Sequence, residues 1–226
     1  MRAGLLALAV VAAIGIAGCG GSESAEPLTL AQRVPGEAEA PGSKPDPVET
    51  RRAASGFDEF KANLVDQLIE PSAEEMRKFE KAGFVSGILD TRFFPFEPGA
   101  AHTGHEPHVV TLVLEFESED GANDAIAVLH RNGLKPCPEG CAADLTEFDV
   151  DGVPDATGVR AVATAADIEA TGEPGEPYDS YAIRFADGPF AYDIELFGAP
   201  GKVSEKQAEE IANKLYDRVG GSPPKP

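Results

Sequence analysis

The chain has 226 residues and a formal net charge of −20 at pH 7, with 39 acidic and 19 basic residues. The basic residues form no cluster or stripe, and a chain of this charge repels phosphate backbones, which argues against nucleic acid as a partner. Hydrophobic residues make up 42% of the chain, enough for one core, while 24 glycines and 19 prolines predict long loops.

The first nineteen residues, MRAGLLALAVVAAIGIAGC, have the pattern of an export signal. A positive charge at Arg2 precedes an apolar stretch that is shorter than the roughly 20 residues a membrane-spanning helix needs. We therefore predict a signal peptide over residues 1–18, which is removed from the mature protein.

The signal ends in Ile16-Ala17-Gly18-Cys19, which resembles the lipobox of bacterial lipoproteins. In that family, two small residues precede a cysteine that is acylated and becomes the mature N-terminus. The resemblance implies that Cys19 carries a diacylglyceryl group with fatty acyl chains such as palmitate. Such a group would anchor the protein to the extracytoplasmic face of the cell membrane. An ordinary signal peptide with an adventitious cysteine is the alternative.

Residues 19–55 are rich in Pro, Gly, Glu and Ser and have no sustained apolar period, which predicts a lipidated N-terminus and a disordered tether. The PLTLAQRV stretch within them is the part best suited to docking on a domain. Residues 56–219 are predicted to form a single domain, and residues 220–226 a disordered tail.

The domain begins with two predicted helices. Ser72 and Glu75 form a capping box for the second helix. Residues 84–94 and 109–117 follow as strands, and in the latter strand apolar residues alternate with polar ones. The first helix is predicted from apolar residues at helical spacing: Phe57, Phe60, Leu64 and Leu68.

A third helix precedes short predicted strands near residues 145–150 and 158–164. YAIRF and PFAYDIELF then form a hairpin around Asp187-Gly188, and an Ala-rich helix follows Ser204. This order predicts an α+β fold with a single antiparallel sheet of about six strands, faced by three to four helices.

The hairpin and last helix, FADGPFAYDIELFGAPGKVS and the residues after it, are similar to small envelope lipoproteins of high-GC Gram-positive bacteria. Some of these have a PsbP-like domain of sheet and helices. The resemblance covers residues 145–219 and rests on pattern, without a fixed motif. It implies a binding or accessory role more than catalysis, and it supplies no ligand residues.

Cys137 and Cys141 lie in PCPEGC and make an even pair once Cys19 is acylated. In an oxidising compartment they are predicted to form a small disulfide loop. A redox-active pair is the alternative, but nothing nearby in the sequence would lower a thiol pKa.

His102, His105 and His108 lie together in HTGHEPH. Three imidazoles can bind zinc and leave a position for water or a fourth side chain. This spacing scatters the rings around a helix, and Gly104 and Pro107 would break one, so the ligands would have to converge in a loop. A solvated loop is the leading interpretation, and a zinc site is the alternative.

The sequence has no G-x-S-x-G, H-E-x-x-H, P-loop or G-x-G-x-x-G motif. We predict a non-enzymatic, lipid-anchored extracytoplasmic protein of the bacterial cell envelope, without a cofactor, that binds an envelope ligand or protein. A metal-binding lipoprotein and an unrecognised extracytoplasmic hydrolase are the alternatives. A pocket with carboxylates of perturbed pKa would favour the hydrolase, and an apolar cleft between helix and sheet a carrier of a hydrophobic ligand.

Overall fold

The computed structural model describes residues 28–45, 51–65, 71–94, 106–135, 144–164 and 176–220. Within these ranges the chain forms eight strands and four α-helices. The strands are β1 Lys44–Pro45, β2 Arg52–Ser55, β3 Phe84–Phe93, β4 His108–Phe116, β5 Asp144–Asp149, β6 Thr157–Ala163, β7 Tyr178–Asp187 and β8 Phe190–Gly198. The helices are α1 Phe57–Asn63, α2 Ala73–Lys81, α3 Glu119–Gly133 and α4 Glu205–Val219.

All eight of the described strands join one antiparallel sheet. Their order is β1-β3-β4-β8-β7-β6-β5, and β2 pairs with the same edge of β3 as β1 does. The predicted fold class, α+β with a single antiparallel sheet faced by helices, is confirmed. The six predicted strands correspond to β3 through β8, while β1 and β2 fall in the segment predicted to be a tether.

The sheet is covered on both faces, because its central strands have apolar residues on both sides. In β4, Val109 and Val113 pack with α4, and we call this side the α4 face. Leu112 and Leu114 of the same strand pack with α1, α2 and α3 on the opposite side, the α3 face. Alternation along one strand therefore separates two cores.

Glu75 ties α2 to α3 on the α3 face. Its backbone N–H donates to Ser72 Oγ at 3.2 Å, and its Oε2 accepts from the Ser72 N–H at 2.7 Å, so the predicted capping box is confirmed. Lys135 Nζ, just beyond α3, lies 2.6 Å from the same Oε2. Burial alone would raise the pKa of Glu75, but these hydrogen bonds and the Lys135 charge lower it.

Residues 28–45, which we call the N-terminal segment, lie against the α4 face. This differs from the prediction of a disordered tether through residue 55. Val34 and Ala40 are 4% and 0% exposed and join the core of the α4 face. The segment has few apolar residues and no apolar period, so its composition resembles that of a linker. Hydrogen bonds and ion pairs contribute much of what holds it against the domain.

Arg218, near the end of α4, makes many of those polar contacts. Its Nε donates to Glu39 Oε1 at 2.6 Å, its Nη2 donates to the Val34 carbonyl at 2.8 Å, and its Nη1 donates to the Gln32 carbonyl. Glu39 also accepts from the Gly36 N–H at 2.7 Å. Burial alone would raise the pKa of Glu39, but the Gly36 amide and Arg218 lower it, so this buried carboxylate is ionised.

Arg33 anchors the N-terminal segment at a second point. Its Nη1 donates to the Tyr192 hydroxyl at 2.8 Å, and its guanidinium lies 3.5 Å from the centroid of the Phe190 ring. Asp187 lies 3.8 Å from the same nitrogen. Burial raises the pKa of Tyr192 to about 12, so its hydroxyl stays neutral and accepts this hydrogen bond.

We expect R218A to lower the free energy of unfolding by about 2 kcal/mol, because Glu39 would remain buried without its cation. The N-terminal segment should also become sensitive to thermolysin before the rest of the domain does. Denaturant unfolding and timed proteolysis measure the two effects.

The matched control is K206A, since Lys206 lies on the same helix in an exposed pair with Glu210 at 3.9 Å. It should change the free energy of unfolding by no more than about 0.5 kcal/mol. Equal stability and equal proteolysis of R218A and K206A would contradict an anchoring role for Arg218.

Candidate functional site

Of the three histidines predicted as alternative zinc ligands, the structure describes His108. It begins β4, and its ring lies between the rings of Phe93 and Phe197, with centroid distances of 5.2 and 5.1 Å. Its Nδ1 lies 2.8 Å from the Glu106 carbonyl, so Nδ1 bears the proton of this hydrogen bond.

His102 and His105 lie outside the described residues, and zinc binding therefore stays a prediction. Among the residues that the structure describes, no three His, Cys, Asp or Glu side chains are grouped so as to hold a metal ion. Cys19, Cys137 and Cys141 also lie outside the described ranges, so lipidation and the disulfide stay predictions. None of the described helices is long and apolar enough to span a bilayer.

A cavity of about 370 Å³ lies between α4, the sheet and the N-terminal segment, and we call it the α4 pocket. Its volume falls at the lower end of the range of about 300–1,000 Å³ that is usual for small-molecule sites. The charged and amide side chains lining it are Glu39, Lys202, Gln207, Glu210 and Lys214. The apolar residues lining it are Ala40, Pro41, Phe94, Pro107, Leu196, Val203 and Ile211.

The turn between β8 and α4 sets one wall of the α4 pocket. A Cβ at Gly198 would lie 2.9 Å from the Val203 side chain, so glycine at this position lets Val203 close against the end of β8. The Lys202 N–H donates to the Ala199 carbonyl at 2.9 Å, and the Gly201 N–H donates to Asp179 Oδ2 at 2.9 Å. These contacts hold the turn in one conformation.

Hydrogen bonds fix the other walls as well. The Phe94 N–H donates to the Pro107 carbonyl at 2.7 Å, which joins the ends of β3 and β4 beside the cavity. Ala40 follows Glu39, which Arg218 holds against α4. The α4 pocket is therefore built from three separate parts of the chain, each held by contacts of its own.

Among the described residues, the two glutamates that line the α4 pocket have basic partners, whereas the two lysines have no acidic partner. Glu39 is neutralised by Arg218, and Glu210 lies 3.9 Å from Lys206 at an exposed position. Lys202 and Lys214 form no ion pair with any residue that the structure describes. Cationic side chains thus stand at an apolar cavity in a chain whose net charge is −20.

A second polar group, the Arg184 cluster, lies on the α3 face and consists of Ser180, Arg184, Asp193 and Glu195. Arg184 is 4% exposed, and its Nε lies 3.1 Å from Asp193 Oδ2. Ser180 Oγ donates to Glu195 Oε1 at 3.0 Å. Burial, together with the negative charge of Asp193, raises the pKa of Glu195 to about 7. The cluster can therefore exchange a proton near neutral pH.

Neither the α4 pocket nor the Arg184 cluster was predicted from the sequence. Asp193 and Glu195 alternate with apolar residues in the predicted hairpin, which indicated a half-buried strand and not a buried partner. In YAIRF, Arg184 lies on the side of the strand opposite the large apolar residues. A charged residue at this position is the signal that would have suggested a buried partner. Lys202 and Lys214 have no distinguishing pattern, because only the fold brings them to the same cavity.

We expect ionisation of Glu195 to lower the free energy of unfolding as the pH rises. Its pKa of about 7 in the folded state lies above the ordinary value of 4.5, so the folded state binds the proton more tightly. The resulting stabilisation is complete below pH 4.5 and is lost as the pH rises through 7.

E195Q should therefore differ least from the wild type at pH 5 and exceed its free energy of unfolding at pH 8, by on the order of 3 kcal/mol. Urea unfolding followed by circular dichroism at pH 5 to 8 measures the difference. E115Q is the control, since Glu115 Oε2 accepts a similar cross-strand hydrogen bond from Ser86 Oγ at 2.5 Å. A difference between E195Q and the wild type that does not change with pH would contradict the assignment.

Searches with family models and among curated proteins found no match. Among solved structures, the chain is similar to the extracellular domain of PknH from Mycobacterium tuberculosis, with 15% sequence identity and a TM-score of 0.53. The similarity covers 86% of this chain and 97% of that domain. It shows a shared fold, and it does not test the lipobox or the resemblance to PsbP-like lipoproteins.

Proposed function

We propose that this chain is a lipid-anchored binding protein on the extracytoplasmic face of a bacterial cell membrane, and that its ligand occupies the α4 pocket. The observation on which this rests is the apolar cavity between α4 and the sheet. The lipobox at Cys19 supports the location, as does the fold that the chain shares with an extracellular domain.

The lining of the α4 pocket favours binding over catalysis. Among the described residues that line it there is no serine, cysteine, histidine or tyrosine. Of its two carboxylates, Glu39 is paired with Arg218, which keeps it ionised, and Glu210 is exposed beside Lys206. Glu195, whose pKa is strongly raised, lies on the opposite face of the sheet. Apolar walls and a few polar groups are typical of a site that holds a small ligand.

The position of the N-terminal segment limits how far the domain can stand from an anchor at Cys19. Residues 20–27 are all that separate Cys19 from the described structure at Leu28. A segment of this length reaches at most about 30 Å when fully extended. In this proposal the domain works close to the membrane surface and not at the end of a long tether.

We expect C19A to abolish lipidation, because the thiol of Cys19 is the acceptor in this proposal. The full chain is produced in a bacterium that processes lipoproteins, with a labelled fatty acid in the medium. The wild type should take up label and sediment with membranes, and C19A should do neither. The double variant C137S/C141S is the control and should retain the label. Label in C19A would contradict the anchor.

The α4 pocket is tested with N-phenyl-1-naphthylamine, a neutral apolar probe whose fluorescence rises on burial. Its ten-carbon naphthyl group matches the volume of the cavity, and its phenyl group would lie at the mouth. We expect one probe to bind per chain, and Q207W to weaken binding at least tenfold by filling the cavity. K206W is the control, because Lys206 precedes Gln207 on α4 and does not line the cavity. Equal affinity of Q207W and K206W for the probe would contradict binding of the probe in the α4 pocket.

A further inference from the structure

Four of the polar side chains that line the α4 pocket come from α4 and the turn before it. Gln207, Glu210 and Lys214 follow one another at intervals of three and four residues, which places them on one face of α4. Lys202 comes from the turn before the helix, so the two lysines approach the cavity from different parts of the chain. Both have exposed side chains, as expected for groups at a cavity mouth.

The carboxylates nearby do not compensate these lysines. Glu39 is held by Arg218 and by the Gly36 amide, and these contacts lower its pKa against the effect of burial. Glu210 is exposed and lies nearest to Lys206, at 3.9 Å. An anion at the mouth would therefore meet two ammonium groups, while the walls behind them are apolar.

The size of the α4 pocket limits what fits behind the lysines. At about 30 Å³ for each water-sized group, a cavity of about 370 Å³ holds roughly a dozen non-hydrogen atoms. A two-chain phospholipid is several times larger than this. A single short alkyl chain with a small head group matches the volume.

We infer that the α4 pocket binds an amphiphile with one short apolar chain and a single anionic head, such as a medium-chain fatty acid. The chain lies against Leu196, Val203 and Ile211, and the head pairs with Lys202 and Lys214. This inference rests on the proposed function and adds the chemical class of the ligand. It also explains why two cations stand at this cavity in a chain with 39 acidic residues.

The test is displacement of N-phenyl-1-naphthylamine by decanoate and by decanol, each kept below its aggregation limit. In the wild type, decanoate should displace the probe at about a tenfold lower concentration than decanol. Its advantage should shrink between 50 mM and 500 mM salt, because ion pairs at an open mouth are screened. If anionic charge alone is recognised, decyl phosphate should displace the probe as decanoate does. If the site requires a carboxylate, decyl phosphate should fail to displace it.

The double variant K202Q/K214Q keeps polar side chains that are only one atom shorter and removes both charges. It should bind decanol as the wild type does and lose the tenfold preference for decanoate. K206Q, on the same helix and outside the cavity, should keep that preference. If the wild type binds decanol as tightly as decanoate, recognition of an anionic head is overturned while the α4 pocket stands. If neither the probe nor decanol binds, the proposed function is overturned as well.

Discussion

Arg218 joins the last helix of the domain to the N-terminal segment, and the shape of the α4 pocket depends on that junction. The guanidinium bonds to Glu39 and to two carbonyls of the segment. Ala40 and Pro41, which line the cavity, come directly after Glu39. A wall made of a few residues with little apolar area is thus held in place by charge-assisted hydrogen bonds.

The two faces of the sheet differ in what lies between the strands and the helices that cover them. On the α4 face, Leu196 of β8 contributes to an apolar cavity. On the α3 face, the adjacent Glu195 lies beside Asp193 and Arg184 and has a pKa near 7. A Cβ at Gly133 would lie 2.6 Å from the Arg184 guanidinium, so a residue without a side chain lets the end of α3 cover this charge.

Much of the fold was predictable from the sequence. Alternation identified β4 and β8, and Ser72 with Glu75 marked the start of α2. Helical spacing identified the helices, but α1 ends at Asn63, before Leu64 of the predicted stretch, and Leu68 lies outside the described residues. The N-terminal segment was not predictable in this way, because β1 has two residues and the anchors Arg33 and Arg218 bond to partners far away in the chain. The α4 pocket is a product of the same distant contacts. No local pattern marks Lys202 and Lys214 as neighbours of one cavity.

The contact between Glu39 and Arg218 spans 179 positions of the chain. A chain synthesised from its N-terminus therefore presents Glu39 long before its partner exists. The N-terminal segment can form this contact only after Arg218 has been synthesised, so one wall of the α4 pocket has no anchor until the end of the chain is present. Truncation of the chain just before Arg218 would therefore remove the partner of Glu39 and leave this wall of the cavity without its anchor.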